Sequence, residues 1–278
     1  MLLASAMTPF RISVVMPAFN EAATIRSICN RVLKQPEVDE LIVVDDASTD
    51  LTYPFLEELA GAYRGDKIIH LCRQPKNRGK GAALRRGFEV ATGNIIIIQD
   101  ADLEYDPGEY PHLIEPILDG RADVVFGSRF TGYPRRVFLF WHTLANKMLT
   151  FISNMTTGLN LSDMETGHKA FKASILRSLV LRCDRFGFEA EVTAKIARLG
   201  CRIFEVPISY HGRTYCEGKK IGLVDAIEAI VVILRFWLIT DVVMGARTKG
   251  RQNPIGASAK QGNELPPPRP AEAAPRQN

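Results

Sequence analysis

The sequence predicts an α/β domain with a mostly parallel sheet and flanking helices, and three observations carry that prediction. Apolar runs of strand length recur at Ile12–Met16, Leu41–Val44, Ile68–Leu71, Ile95–Ile98 and Val124–Phe126. Helical patterns separate the first four, and polar clusters follow several of the runs at once. Strand–helix alternation of this kind builds parallel sheets, whose ligands bind beyond the carboxyl ends of the strands.

Taken in order, the first run leads into Pro17-Ala18-Phe19-Asn20-Glu21 and the second into Asp45-Asp46-Ala47-Ser48-Thr49-Asp50. Past the third run, Asn77-Arg78-Gly79-Lys80-Gly81 opens a helix behind a glycine-rich turn, where backbone N–H groups and a lysine can meet an anion. Its spacing is not that of a P-loop, and no GxGxxG lies near it. The fourth run leads into Gln99-Asp100-Ala101-Asp102-Leu103-Glu104. Three polar clusters therefore converge on one edge of the sheet, although each alone is equally a turn or helix-cap signal.

Beyond residue 130 come an amphipathic stretch over Phe138–Thr157, a polar segment Ser162–Lys169, a helical stretch Glu189–Leu199 and a short apolar run Ile203–Val206. Leu223–Ile239 holds an apolar block interrupted by Asp225, Glu228 and Arg235. A membrane span needs about 20 apolar residues, so this helix is either core-packed or lies at a membrane surface. These patterns divide the chain into a flexible N-terminus (1–10), a catalytic domain (11–220, with halves 11–129 and 130–220), an amphipathic helix (221–246) and a disordered basic tail (247–278).

Composition narrows the function. The 278 residues are 46% apolar, enough for one enzyme-sized core. The five cysteines are scattered without a CxxC pair and read as reduced cytosolic thiols. The formal charge is +4, but the tail holds six basic against two acidic residues, so residues 1–246 are net neutral. A neutral body excludes nucleic acid as the main partner.

Asp100 and Asp102 place two carboxylates at one strand end, hard oxygen donors that suit Mg²⁺ or Mn²⁺ with positions left for a diphosphate. Glu104 is a third carboxylate that either helps hold the metal or sits nearby.

Residues 11 to about 240 resemble family 2 glycosyltransferases, closest to the dolichyl- or polyprenyl-phosphate mannose synthase group. The matching segments are Val14–Glu21, Val43–Asp50, Gly79-Lys80-Gly81, Asp100-Ala101-Asp102 and Gly127-Ser128-Arg129. The resemblance implies a Rossmann-like fold of the GT-A type and an inverting, metal-dependent transfer of a hexose from a nucleotide-sugar, GDP-mannose favoured and UDP-glucose possible. It implies that Pro17, Ala18, Phe19, Glu21 and Asp46 frame the nucleoside, with Lys80, Asp100, Ala101 and Asp102 on the donor's diphosphate side. Arg213–Lys220 resembles a mobile Arg-containing loop that closes over phosphates, and Asp163–Lys169 sits where such synthases carry an acceptor segment. Arg129, Arg135, Lys169, Arg213 and Lys219 then form a cradle for an acceptor phosphate, with Asp102, Asp163 and Arg213 as the catalytic group.

A phosphate monoester is largely dianionic at neutral pH, so a polyprenyl phosphate can attack without a strong general base. A glycan hydroxyl needs one, and Asp163, Glu189 and Glu191 are then the candidates. A UDP-sugar-dependent enzyme with a hydroxyl acceptor and a non-catalytic sugar-nucleotide-binding protein remain the alternatives. The expected setting is cytoplasmic, with peripheral contact to the inner membrane face through the 221–246 helix and the tail.

Overall fold

The computed structural model describes residues 10–132, 140–185, 187–212 and 223–238, the side chains of 223–228 and 237 excepted. All of them fall in one compact unit, Met1–Met244. The expectations for 1–9, for Arg135, for Arg213 and Lys219, and for the tail lie outside the described residues.

Seven strands form one sheet among the described residues: β1 (Ile12–Ala18), β2 (Glu40–Asp45), β3 (Ile68–Arg73), β4 (Ile95–Ile98), β5 (Val124–Ser128), β6 (Lys169–Lys172) and β7 (Ile203–Pro207). Their order is β3-β2-β1-β4-β6-β5-β7, parallel except that β6 runs antiparallel between β4 and β5. The helices are α1 (Ile25–Leu33), α2 (Thr52–Ala62), α3 (Lys80–Val90), α4 (Tyr110–Leu118), α5 (Phe140–Thr157), α6 (Ala173–Ser178), α7 (Phe188–Arg198) and α8 (Leu223–Leu238).

Every apolar run expected to be a strand is one; β1, β2, β4 and β5 are covered on both faces and so read as continuous hydrophobic stretches, while β3 is a half-exposed edge strand. Alternate residues serve two cores. Val15, Ile42, Val44, Ile96 and Ile98 join α3, α7 and α8 on one face; Val14, Met16, Leu41, Ile95 and Ile97 join α1 and α4 on the other. Helix α3 lies very close to the sheet because Gly87 has no side chain: a Cβ there would come within 2.3 Å of Val15 Cγ1.

Strand β6 is the strand the sequence reading does not contain, as α4 and α6 are the helices. Lys-Ala-Phe-Lys is short and begins with a lysine, so it reads as the tail of a polar loop. Its pairing to β4 joins the 130–220 half to the 11–129 half in one sheet. The sheet order reverses between β2 and β4, on either side of β1, and a crevice opens at such a switch point beyond the carboxyl ends.

Candidate active site

The loops that follow β1, β2 and β4 share a backbone peculiarity. Among the described residues the non-glycine positive-φ positions are Asn20 (φ 52°), Ala47 (φ 60°) and Leu103 (φ 63°), one on each loop. Asparagine tolerates that region; alanine and leucine are held there at a cost of about 1 kcal/mol or more each. Hydrogen bonds between loops hold the first two. Asn20 N donates to Ser48 Oγ at 3.0 Å, Thr49 N donates to Asn20 Oδ1 at 2.8 Å, and Glu21 N donates to Thr52 Oγ1 at 2.8 Å.

Asp46 is 3% exposed, and its carboxylate closes the next loop onto this one. Oδ1 accepts Arg78 N at 2.9 Å and Gln74 Nε2 at 2.7 Å, and Oδ2 accepts Gly79 N at 2.6 Å. The glycine-rich turn therefore does not offer these two amides to a ligand; the anion they meet is Asp46. Gly79 is itself required here, with φ 96° and a virtual Cβ 2.7 Å from Asp184 O. Burial pushes the Asp46 carboxyl above the usual carboxylate range, with Asp45 adding to it against the pull of the amide donors.

Lys80, the first residue of α3, reaches under the β4 edge. Its Nζ lies 2.8 Å from Asp100 Oδ1 and 3.1 Å from Glu189 Oε1. Burial disfavours the ammonium, but Asp100 and then Glu189 outweigh it and hold the pKa above the ordinary lysine value. Glu189 Oε2 is buried without a hydrogen-bond partner. Gly167 backs directly onto the pair: a Cβ there would fall 2.2 Å from Asp100 Oδ2 and 3.1 Å from Lys80 Nζ.

Asp102 stands beyond Asp100, with Oδ1 accepting Glu104 N at 3.2 Å. Glu104 turns elsewhere. Its Oε2 accepts the Tyr210 hydroxyl at 2.6 Å and its carbonyl accepts His211 N at 2.9 Å, which ties this loop to the end of β7. Among the described residues no three His, Cys, Asp or Glu side chains come together as a metal-binding group. Asp100 and Asp102 share one turn, while Glu104 Oε2 is held by the Tyr210 hydroxyl. Two carboxylates on one turn still fit Mg²⁺ or Mn²⁺, which commonly complete their shells with substrate phosphate and water.

On the other flank, Arg129 at the end of β5 grips Asp163 with two parallel bonds, Nε to Oδ2 at 2.6 Å and Nη2 to Oδ1 at 2.7 Å. The Arg129 amide also donates to Oδ2, at 3.0 Å. Asp163 is fully buried and Arg129 largely so, and the guanidinium lies 5.2 Å from the centre of the Tyr210 ring. Glu205 fixes the same corner by accepting Ser162 N and Asp163 N. Lys169, expected in the phosphate cradle, is a correction. It is fully buried, its Nζ donates to the carbonyls of Met164 and Thr166, and it lies 4.6 Å from the centre of the Phe126 ring.

Two aromatic residues join these flanks and carry no local sequence signal. Tyr105 accepts Gly167 N on its hydroxyl at 2.9 Å and stacks on His168 with ring centres 5.2 Å apart. Tyr210 lies 5.3 Å from Tyr105. Burial pulls the His168 pKa down to about 4, so its ring is neutral at pH 7. Glu165, with Oε1 buried and unpartnered, is pushed up to about 7 by burial and then by Glu189. The hydroxyl-acceptor candidates fare unequally: Glu191 accepts Arg182 N, Cys183 N and Lys195 Nζ, and Asp163 is held by Arg129, while Glu189 keeps one oxygen.

Known proteins match this arrangement. The family model for glycosyl transferase family 2 covers residues 13–180. The chain is 30% identical over 238 residues to undecaprenyl-phosphate mannosyltransferase of Micrococcus luteus, spanning 82% of this chain and 94% of that one. It is 28% identical over 217 residues to dolichol-phosphate mannosyltransferase of Pyrococcus furiosus, spanning 76% of this chain and 60% of that longer one. A crystal structure of glucosyl-3-phosphoglycerate synthase from Mycobacterium tuberculosis in complex with Mn²⁺, UDP-glucose and phosphoglyceric acid superposes with a TM-score of 0.66 at 25% identity, covering 84% of this chain and 81% of that one. With the carboxylate pair, the laced loops and the mixed sheet all in place, the chain belongs to glycosyl transferase family 2 and is a glycosyltransferase of GT-A fold.

Proposed function

We propose that this enzyme transfers a hexose from a nucleoside-diphosphate sugar, GDP-mannose first and UDP-glucose second, to a polyprenyl phosphate, working peripherally at a cytoplasmic membrane face. The observation that carries the reading is the similarity to the Micrococcus undecaprenyl-phosphate mannosyltransferase along nearly that enzyme's whole length. The state of the carboxylates supports a phosphate acceptor: Asp163 and Glu191 are fully engaged, and a phosphate dianion does not need them as bases.

In this reading the loops after β1 and β2 frame the nucleoside through Pro17, Ala18, Phe19, Glu21 and Asp46. Asp100 and Asp102 hold Mg²⁺ or Mn²⁺, which when bound neutralises the leaving diphosphate. Lys80, 2.8 Å from Asp100, places a cation beside the diphosphate side. Arg129, fixed by Asp163, presents positive charge on the acceptor side, where Arg213 and Lys219 are expected to join it. The acceptor oxygen attacks the anomeric carbon as the bond to the diphosphate breaks, with inversion and no covalent enzyme intermediate.

The test is transfer from radiolabelled GDP-mannose, UDP-glucose and UDP-N-acetylglucosamine to a short polyprenyl phosphate, with Mg²⁺ or Mn²⁺, counting label in the organic phase. Lipid labelling from one donor is expected. Absence of lipid labelling from all three, alongside metal-dependent binding of one donor, would move the acceptor to a hydroxyl and make Glu189 the residue to examine.

A further inference from the structure

Helix α5 carries an outward apolar stripe. Trp141, Leu144, Met148, Phe151 and Met155 are all exposed, Trp141 by 75% and Met155 by 70%, and they recur at alternate steps of three and four residues. That spacing puts them on one helix face, along roughly 21 Å of axis. The opposite face, with Leu149, Thr150 and Ser153, is buried where α5 packs on α7 and α8. Helix α8 beside it exposes Val231, Leu234 and Leu238, again three and four residues apart. Large exposed patches of this kind mark interaction surfaces rather than ordinary monomer surface.

Charge identifies the occupant. Leaving aside Arg129, whose charge Asp163 answers, the chain from residue 130 to residue 162 has three basic residues, Arg135, Arg136 and Lys147, and not one acidic residue. Since residues 1–246 are net neutral, the acid-free segment is positive against a body that is otherwise net negative. An anionic lipid surface attracts such a segment. A second copy docked on the same face by two-fold symmetry would set basic segment against basic segment. Phe140 and Trp141 sit together at the start of the helix with ring centres 5.1 Å apart, the aromatic signature of a membrane interface. No helix among the described residues is long and apolar enough to cross a membrane, so contact would be in the plane of the surface.

We propose that α5 is a membrane-docking helix, seated along the surface of an anionic bilayer with the outer row of α8 beside it. The purpose of the contact rests on the polyprenyl-phosphate reading. Phe140 follows Arg129 by eleven residues, so the docking helix is close in sequence to the acceptor side of the site.

The test uses the full chain and vesicles of phosphatidylglycerol and phosphatidylcholine in equal parts. The protein has two tryptophans, so Trp237→Phe leaves Trp141 as the reporter. Quenching of Trp141 by brominated lipid is expected. Phe151→Ser with Met155→Ser should weaken vesicle binding by at least about tenfold, with unchanged thermal unfolding and unchanged transfer to a short, water-soluble prenyl phosphate. Vesicle binding without Trp141 quenching, or binding undiminished by the double substitution, would overturn the proposal. So would a dimer in sedimentation velocity that the double substitution dissociates. If the prenyl phosphate accepts no sugar while quenching and weakened binding both hold, the docking helix stands and the acceptor reading falls.

Discussion

The Lys80 ammonium, 2.8 Å from Asp100 and 3.1 Å from Glu189, joins the glycine-rich turn to the acidic strand end in one partly buried ion cluster. Lys80→Met would leave two carboxylates facing each other with their cation gone. Breaking a buried pair in this way costs about 3 kcal/mol or more, and loss of a preorganised charge at a transferring site typically costs about 100-fold in turnover. A lower unfolding midpoint together with a fall in kcat is expected. Wild-type kcat in Lys80→Met would remove Lys80 from the chemistry.

Asp46 accepts three donors, two of them the backbone amides that begin the Gly79 turn. Asp46→Asn replaces one acceptor oxygen by an NH₂ group that opposes an amide donor. The donor KM should rise by about 10-fold, from one or two lost charge-assisted bonds, because the turn it pins also positions Lys80. Titration calorimetry with the donor nucleoside diphosphate checks this, and unchanged affinity would contradict it.

Asp163→Asn leaves the Arg129 guanidinium buried without its counter-charge. Destabilisation of about 3–5 kcal/mol is expected. A double-mutant cycle with Arg129→Met should recover much of that loss, since removing both partners removes the uncompensated charge. Simple additivity of the two substitutions would show that the pair is not coupled.

Glu40 gives a pH dependence far from the site. Burial raises its pKa, but the Ser13 hydroxyl, Thr92 and Gly93 donate to it and together hold it below the usual 4.5. The unfolded chain therefore takes up the Glu40 proton first as pH falls. The stabilisation is complete above about pH 4.5 and is lost as pH drops through the lower folded value. Glu40→Gln should lower stability near neutral pH by about 2 kcal/mol and flatten the acid limb of the unfolding curve; an unchanged acid limb would contradict the assignment.

The central strands β2 and β4 were legible because both their faces are buried, and Ile-Ile-Ile-Ile or Leu-Ile-Val-Val leaves little choice of structure. The acidic pair and the glycine-rich turn were legible because strand ends collect polar residues. What escaped is non-local. Lys169 looks like a phosphate ligand in the sequence, and only the antiparallel insertion of β6 shows that its ammonium is enclosed by carbonyls and the Phe126 ring. The bond that Tyr210, 106 residues away, donates to Glu104 has no signal in the local sequence. Gly167 carries no signal in its own neighbourhood; its need for a missing side chain comes from Asp100 pressed against it.

The most direct test of the acceptor assignment compares a short polyprenyl phosphate with the matching polyprenol under identical donor and Mg²⁺ or Mn²⁺, for wild type and Asp102→Ala, with products identified by mass spectrometry. The expected result is a hexosyl-phosphate lipid from the phosphate alone, formed by wild type and lost with chelator and in Asp102→Ala. Glycosylation of the polyprenol, or turnover that survives Asp102→Ala, would contradict a phosphate nucleophile acting at the Asp100–Asp102 edge.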